Sequence, residues 1–327
     1  QFKRYFSNIF NNGTRYVLYI TMELRHIRYF LAVAEEKNFT KAAQRLNMSQ
    51  PPLSMQIRDL EEELGADLFI RSPHGVELTE AGLAFLNAIQ PVQQRVEDAA
   101  NLVKQVANGE VGQLRLGFTG TSMLNPLIPK CVRYFQQQYP KVNLKLEEAN
   151  TLLLIDLLLE DRLDVAIIRS PRNMPDSLIL QELLAEPLIA ALPSESFNLD
   201  DASQEIDLTA LRELDFIVSP PSVSAGLFDA IKQACHERGF EPKIGQNAPQ
   251  IVSILSLVSA NLGVSLVPES TKQLQIQGVA YRSLKAPVPT VGLGLAYKKH
   301  APSQMAINFA SVVQVACHHA NEINEIS

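Results

Sequence analysis

Apolar residues near the start of the chain recur at spacings of three and four. Leu24, Ile27, Leu31 and Ala34 form one stripe, which predicts an amphipathic helix over residues 23–36. A shorter helix is predicted over 40–46, with Thr40 as N-cap and the small pair Ala42-Ala43 letting another helix approach closely. Ser49 is read as the cap of a third helix, whose first turn accepts Pro51 and Pro52 because N–H groups there lack intrahelical partners; Gly65 stops it. Projected at about 100° per residue, Leu53, Ile57, Leu60 and Leu64 fall on one side of this helix and Pro51, Ser54, Met55 and Arg58 on the other. Residues 68–70 and 76–78 read as two short strands about the turn Pro73-His74-Gly75.

A long helical stretch follows from Thr79. Leu86, Ile89, Gln93, Val96, Ala100, Val103 and Ala107 alternate at spacings of three and four, a heptad-like seam suited to pairing with a second copy; packing on its own domain is the alternative. Pro91 is expected to kink or split the helix. Residues 108–112 read as a hinge, and beyond them the pattern changes. Leu114, Leu116 and Phe118, and likewise Val142, Leu144 and Leu146, alternate with polar or small neighbours, predicting half-buried strands on either side of a helix over 125–138. Helices over 151–160, 224–238 and 250–260 interleave with strands over 164–168, 187–192, 216–218 and 264–267, an order that implies parallel α/β sheets. The stretch of about 215 residues past the hinge is long enough for two lobes.

Composition narrows the class. The 327 residues are 46% hydrophobic and 20% charged, which excludes a disordered chain, and no apolar run approaches the length of a membrane-spanning helix. Residues 1–21 are expected to be an extension outside the fold, with Met22 as the natural start. Cys131, Cys235 and Cys317 are odd in number and far apart, which argues against a disulfide framework and for a reducing, cytoplasmic setting. Net charge is −6, and acidic side chains outnumber basic ones even within 22–80. A generic basic footprint for nucleic acid is absent, so DNA binding must rest on a motif that segregates its charges.

The third predicted helix has that segregation. Its leucine side suits packing and its other side carries small or hydrogen-bonding groups, the division a recognition helix needs to reach base edges. The acidic run Glu61-Glu62-Glu63 lies at the far end, so it points away from phosphates while Ser49 and Gln50 face them. A three-helix packing unit without a ligand remains the alternative on pattern alone. However, the run from Met22 to Glu36, then Asn38-Phe39-Thr40-Lys41-Ala42-Ala43, Ser49-Gln50-Pro51-Pro52-Leu53-Ser54, Leu60-Glu61 and Leu78-Thr79-Glu80-Ala81-Gly82 resembles the N-terminal domain of LysR-type transcriptional regulators. The DNA-contacting candidates are Thr40, Ser49, Gln50, Pro51, Pro52, Ser54, Met55, Arg58, Arg71 and His74. That family usually has a basic residue where Met55 stands and often a second arginine where His74 stands, so two positive charges are missing here.

A second constellation sits at three strand-to-helix junctions: Thr119-Gly120-Thr121-Ser122, Asn150-Thr151, and Pro220-Pro221-Ser222-Val223-Ser224. Each offers hydroxyls and backbone N–H groups for a carboxylate, and Arg169 at the same sheet edge can add a bidentate contact. Hydroxyls that merely cap helices are the alternative for any one of them. The resemblance implies a two-lobed, periplasmic-binding-protein-like α/β effector domain, with Thr119, Thr121, Ser122, Thr151, Arg169, Pro220, Pro221 and Ser222 as ligand-binding candidates. Similarity to the benzoate- and muconate-responsive subgroup points to an aromatic or dicarboxylic acid.

The expected organisation is an α/β protein with an N-terminal all-α winged helix-turn-helix. An extension spans 1–21, the helix-turn-helix 22–79, a dimerising linker and hinge 80–111, one lobe 112–186 with 295–327, and the other 187–294. Expected partners are double-stranded DNA, a small organic anion and further copies of the chain as dimer or tetramer, with no membrane. No catalytic residue, metal or cofactor is expected, and Cys317-His318-His319 reads as incidental. A solute-binding protein or an α/β enzyme with an appended helical domain are the rival readings.

Overall fold

The computed structural model describes residues 22–72, 75–196 and 205–324, with side chains as far as Cys317. Within residues 1–21 it describes only the backbone of two short strands, β1 (Asn8–Asn11) and β2 (Thr14–Val17), which pair antiparallel. His74 and the His318 and His319 side chains lie outside the described residues. The chain divides into two compact units, Gln1–Val103 and Lys104–Ser327.

In the first unit, α1 (Leu24–Glu36), α2 (Phe39–Arg45) and α3 (Gln50–Leu64) precede the two-stranded wing β3 (Phe69–Ser72) and β4 (Gly75–Leu78), and α4 (Glu80–Ala107) follows. Phe30, Val33, Ala42, Leu53, Ile57 and Leu60 are fully buried together. Phe30 also packs its ring 5.1 Å from Phe69 and 4.9 Å from Phe85, joining α1 to wing and linker. Helix α2 starts one residue before its expected position. Asn38 Oδ1 accepts from the amides of Thr40 and Lys41, so Asn38, not Thr40, is the cap. Ser49 does hold the N-cap position of α3, without a side-chain capping bond, and Gly65 closes that helix in the left-handed conformation.

Contrary to expectation, α4 runs unbroken through Pro91. The carbonyl that Pro91 leaves without a donor is that of Asn87, which is exposed and open to water, as are the residues from Gln90 to Lys104. The expected seam also divides. Leu86 and Ile89 pack into the core of their own unit, whereas Val96, Ala100 and Val103 are exposed.

In the second unit β5 (Val111–Phe118), α5 (Gly120–Met123), α6 (Leu127–Gln138), β6 (Lys141–Glu148), α7 (Thr151–Leu159) and β7 (Val165–Arg169) build one lobe. The long β8 (Leu178–Pro193) leads into the other, which holds β9 (Glu205–Ile206), β10 (Asp215–Val218), α8 (Pro221–Glu237), β11 (Lys243–Asn247), α9 (Ile251–Ser259), β12 (Ser265–Pro268) and β13 (Val279–Leu284). Then β14 (Thr290–Lys298) returns and α10 (Gln304–Asn324) closes the first lobe.

The sheets are mixed rather than wholly parallel: β5 runs parallel to β6 and β7, while β14 is antiparallel to β7 and β8. Because β8 and β14 each serve both lobes and traverse them in opposite directions, they must meet antiparallel. Strand β7 is buried at every position, with Val165 and Ile167 in the core under α6 and Ala166 and Ile168 in the core under α7. Leu293, expected in the second lobe, packs in the first core, whereas Val291 belongs to the second. Among the described residues no helix is long and apolar enough to cross a membrane.

Candidate functional site

Helix α3 positions the first candidate surface. Leu53, Ile57 and Leu60 turn into the core, so Pro51, Met55 and Arg58 are exposed, with Gln50, Pro52 and Ser54 half-buried beside them. Leu64, expected on the inner side, is 39% exposed in the last position of the helix. Thr40 and Ser49 are exposed too. Arg71 on β3 donates to Ser54 Oγ at 3.0 Å, and its guanidinium lies 4.7 Å from the centre of the Phe39 ring. Wing, α2 and α3 thus hold Arg71 in place.

The acidic run has a role that pattern alone did not reveal. Glu61 Oε1 accepts from the amides of Leu68 and Phe69 at 2.8 and 3.1 Å, and Glu63 Oε1 accepts from the Met22 amide at 2.8 Å. Those carboxylates tie the wing and the chain before α1 to the recognition helix.

The second candidate surface is a cleft of about 700 Å3 between the two lobes of the second unit. From the first lobe Thr119, Gly120, Thr121, Glu148 and Asn150 line it, and from the second Ser219, Ser224, Gln250, Ile251 and Leu274. Thr119 is 8% exposed, and its Oγ1 has no hydrogen-bond partner. An isolated buried hydroxyl costs free energy unless a ligand or water completes it.

Of the eight ligand-binding candidates, only Thr119 and Thr121 line the cleft, and of the other residues at the three junctions Gly120, Asn150, Val223 and Ser224 do so. Ser122 is fully buried behind them and donates to the Thr119 carbonyl at 2.7 Å, stabilising the turn. Thr151 is buried in the first turn of α7, which Asn150 caps by accepting from the Leu153 amide at 2.9 Å. Pro221 and Ser222 are exposed, and neither they nor Pro220 line the cleft. Ser224 departs from helical geometry, with φ −140° and ψ 72°, and the cleft wall is formed by Ser219 and Ser224 on either side of the expected residues. Glu148 and Gln250 were not among the expected contacts, and Asn150 was expected only as part of its junction; each stands at a strand end or helix start, the location that could have marked them.

Arg169 does not meet its expected role. It is 1% exposed and donates from Nη1 to Glu186 Oε2 at 2.7 Å, from Nη2 to the Thr121 carbonyl at 3.0 Å, and from Nε to Thr121 Oγ1 at 3.3 Å. The other Glu186 oxygen accepts from the Ser270 amide at 2.7 Å. A charge at the end of a fully buried strand requires a counter-charge, and here the protein supplies the carboxylate that a ligand was expected to bring. Burial lowers the Arg169 pKa and Glu186 opposes that effect. For Glu186, burial acts to raise the pKa, but the Arg169 charge and the Ser270 hydrogen bonds hold it below the ordinary carboxylate value.

Comparison with known proteins matches both assemblies. Residues 24–83 match a family described as "Bacterial regulatory helix-turn-helix protein, lysR family", and residues 107–316 match one described as "LysR substrate binding domain". The chain belongs to the LysR family of transcriptional regulators.

Its LysR-family relatives include the uncharacterized HTH-type transcriptional regulator YnfL of Escherichia coli (strain K12), 36% identical over 89% of this chain and 97% of the relative. Another is the HTH-type transcriptional regulator AlsR of Bacillus subtilis (strain 168), 34% identical over 89% of this chain and 95% of that protein. Among solved structures, the LysR regulator CbnR superposes with a TM-score of 0.74 at 26% identity, covering 89% of this chain and all (100%) of the other. Full-length BenM superposes with a TM-score of 0.56 at 29% identity, covering 93% and 98% respectively. As a LysR-family regulator, the chain joins a DNA-binding helix-turn-helix to an effector-binding domain. The relatives match along nearly their whole lengths and are named as transcriptional regulators, which sets aside the solute-binding and enzyme readings.

Proposed function

We propose that this LysR-family regulator inserts α3 into the DNA major groove and takes a small organic effector between its two α/β lobes, and that occupancy of the cleft changes how the protein sits on its operator. The observation that carries the effector reading is the interlobe cleft with the unpartnered Thr119 hydroxyl in its wall. The DNA reading draws on the exposed Pro51, Met55 and Arg58 opposite the buried leucine side. A DNA partner is in keeping with a cytoplasmic protein.

The exposed part of α4 offers a pairing surface that keeps Val96 and Val103 of the expected seam and takes Val92, Ala99 and Val106 in place of Gln93, Ala100 and Ala107. Val92, Val96, Ala99, Val103 and Val106 follow at spacings of four, three, four and three, all exposed, and a second copy of α4 covers this stripe in a dimer. Affiliation to the benzoate-responsive subgroup is not favoured over others, because BenM of Acinetobacter baylyi (strain ATCC 33305 / BD413 / ADP1) is 33% identical, no more than the relatives above.

Selection of bound duplexes from a random pool by the full-length protein tests the DNA assignment. Arg58→Ala should weaken binding to the selected duplex by about 1–3 kcal/mol if it reads a base, while ligand binding stays intact. An unchanged gel shift would remove Arg58 from the interface.

A further inference from the structure

The cleft's charges bear on the class of effector. Glu148 is the one charged side chain that lines it among the described residues. The cation expected to answer a ligand carboxylate, Arg169, is buried and engaged by Glu186 and Thr121. Glu148 itself makes no hydrogen bond or ion pair among the described residues. Its carboxylate lies beside the turn where a ligand carboxylate was expected: a methyl group added at Gly120 would lie 2.7 Å from Glu148 Oε1. An acidic ligand at the Thr119–Ser122 turn would therefore meet a like charge, with no cation in the wall to offset it.

What remains in the wall is neutral and able to hydrogen-bond. Thr119 Oγ1 is buried without a partner, and Ser219, Ser224, Asn150 and Gln250 add hydroxyls and amides. Leu124, Leu227, Ile251 and Leu274 provide the apolar remainder.

We infer that the effector is not an organic acid but a small molecule without negative charge that presents an amine or amide N–H to Glu148 and rests a compact apolar portion on the leucine and isoleucine wall. The inference rests on the reading of the interlobe cleft as the effector site. Glu148 sets specificity by the sign of its charge. The polar groups grip either hydroxyl or amide functions, so discrimination against acids comes chiefly from repulsion.

Three probes share one ring and differ in charge: benzylamine, benzamide and benzoate. Calorimetry with the full-length protein should show benzylamine binding on the order of tenfold more tightly than benzoate, with benzamide between them, as expected for a unit charge a few ångströms from a partly hydrated carboxylate. Glu148 is exposed and unpaired, so Glu148→Gln should keep the wild-type melting temperature and reduce the spread among probes to less than about threefold.

Tightest binding by benzoate, no binding by benzamide and benzylamine, or a spread unaltered by Glu148→Gln would overturn the inference. Two cleft-filling variants, Ser224→Trp and Gln250→Trp, separate this failure from a failure of the cleft reading. Benzoate binding that is tightest in the wild type and lost in both variants would leave the cleft as the effector site with the charge assignment wrong. Binding of the probes that survives in both variants, or no binding by any of the three, would remove the cleft itself.

Discussion

Arg169 and Glu186 are the pair on which the second unit's interior depends. Removing one partner leaves the other charge buried and uncompensated, so Glu186→Gln should lower the unfolding free energy by about 3–5 kcal/mol. The double replacement Arg169→Met with Glu186→Leu should restore much of that loss, because two apolar side chains of similar volume need no desolvation. Chemical denaturation of the three species, followed by tryptophan-independent far-ultraviolet circular dichroism since the chain has no Trp, measures both effects. The pH dependence has a definite sign. Glu186 is held below its ordinary value in the folded protein, so its contribution is present above the unfolded value of about 4.3 and is lost as pH falls below it. Wild-type melting temperature should drop through that acid range, and the double variant should drop less. Arg169 was legible in the sequence as a charge ending an apolar strand, but its partner was not. Glu186 lies in the run Leu183-Leu184-Ala185-Glu186-Pro187-Leu188, on another strand, and only the fold brings them together.

At the scale of elements, periodicity located the helices of the first unit and most of the elements between residues 111 and 268, because amphipathic stripes report directly on which side packs, but it marked none of β9, β11, β13, β14 and α10. It failed where two environments share one element. Along α4 a single heptad register was extrapolated from Leu86 and Ile89, which pack at home, into a stretch where the apolar residues occupy Val92, Val96, Ala99, Val103 and Val106. Substituting Val96 and Val103 together by Glu places like charges across any paired α4 seam and should convert dimers to monomers in sedimentation analysis, with melting of the isolated fold little changed, since both side chains are exposed. A monomeric wild type, or a double variant that stays dimeric, would refute pairing through this stripe. The junction residues failed differently. Thr151 and Ser122 have the right chemistry in the right place along the chain, but one is buried in the first turn of α7 and the other bonds back to Thr119. Helix α8 shows a further constraint invisible to periodicity: a Cβ at Gly226 would lie 2.5 Å from the Ser170 carbonyl oxygen. A glycine is what lets the second lobe's helix seat against the end of β7.

On the scale of the whole effector unit, the two lobes were readable from the alternation of strands and helices and from chain length, whereas the mixed sheet was not, since strand direction depends on how β8 and β14 cross between lobes. Those crossings join the lobes, and contacts outside the strands also hold their arrangement. Gln273 of the second lobe donates from Nε2 to the Leu124 carbonyl of the first at 2.9 Å, and Arg172 meets Asp229 at 3.4 Å. A ligand that touches Thr119 and Gln250 at once bridges the same two lobes, so it favours the arrangement in which those contacts are made. Gln273→Ala removes one exposed bond from that arrangement and should weaken binding of a cleft-directed probe by about threefold, since an exposed hydrogen bond is worth about 0.5–1 kcal/mol. Linkage adds a condition on the mechanism. If effector occupancy changes operator affinity by some factor, saturating operator must change effector affinity by that same factor, and Gln273→Ala must act on both through the population of the closed arrangement. Calorimetric titration of the probe with and without the selected duplex, and of the duplex with and without the probe, in wild type and Gln273→Ala, measures the two factors. The two factors must agree at equilibrium whatever the mechanism; a coupling factor that Gln273→Ala leaves unaltered would exclude this contact from the coupling, and a factor of one would sever the cleft from DNA binding altogether.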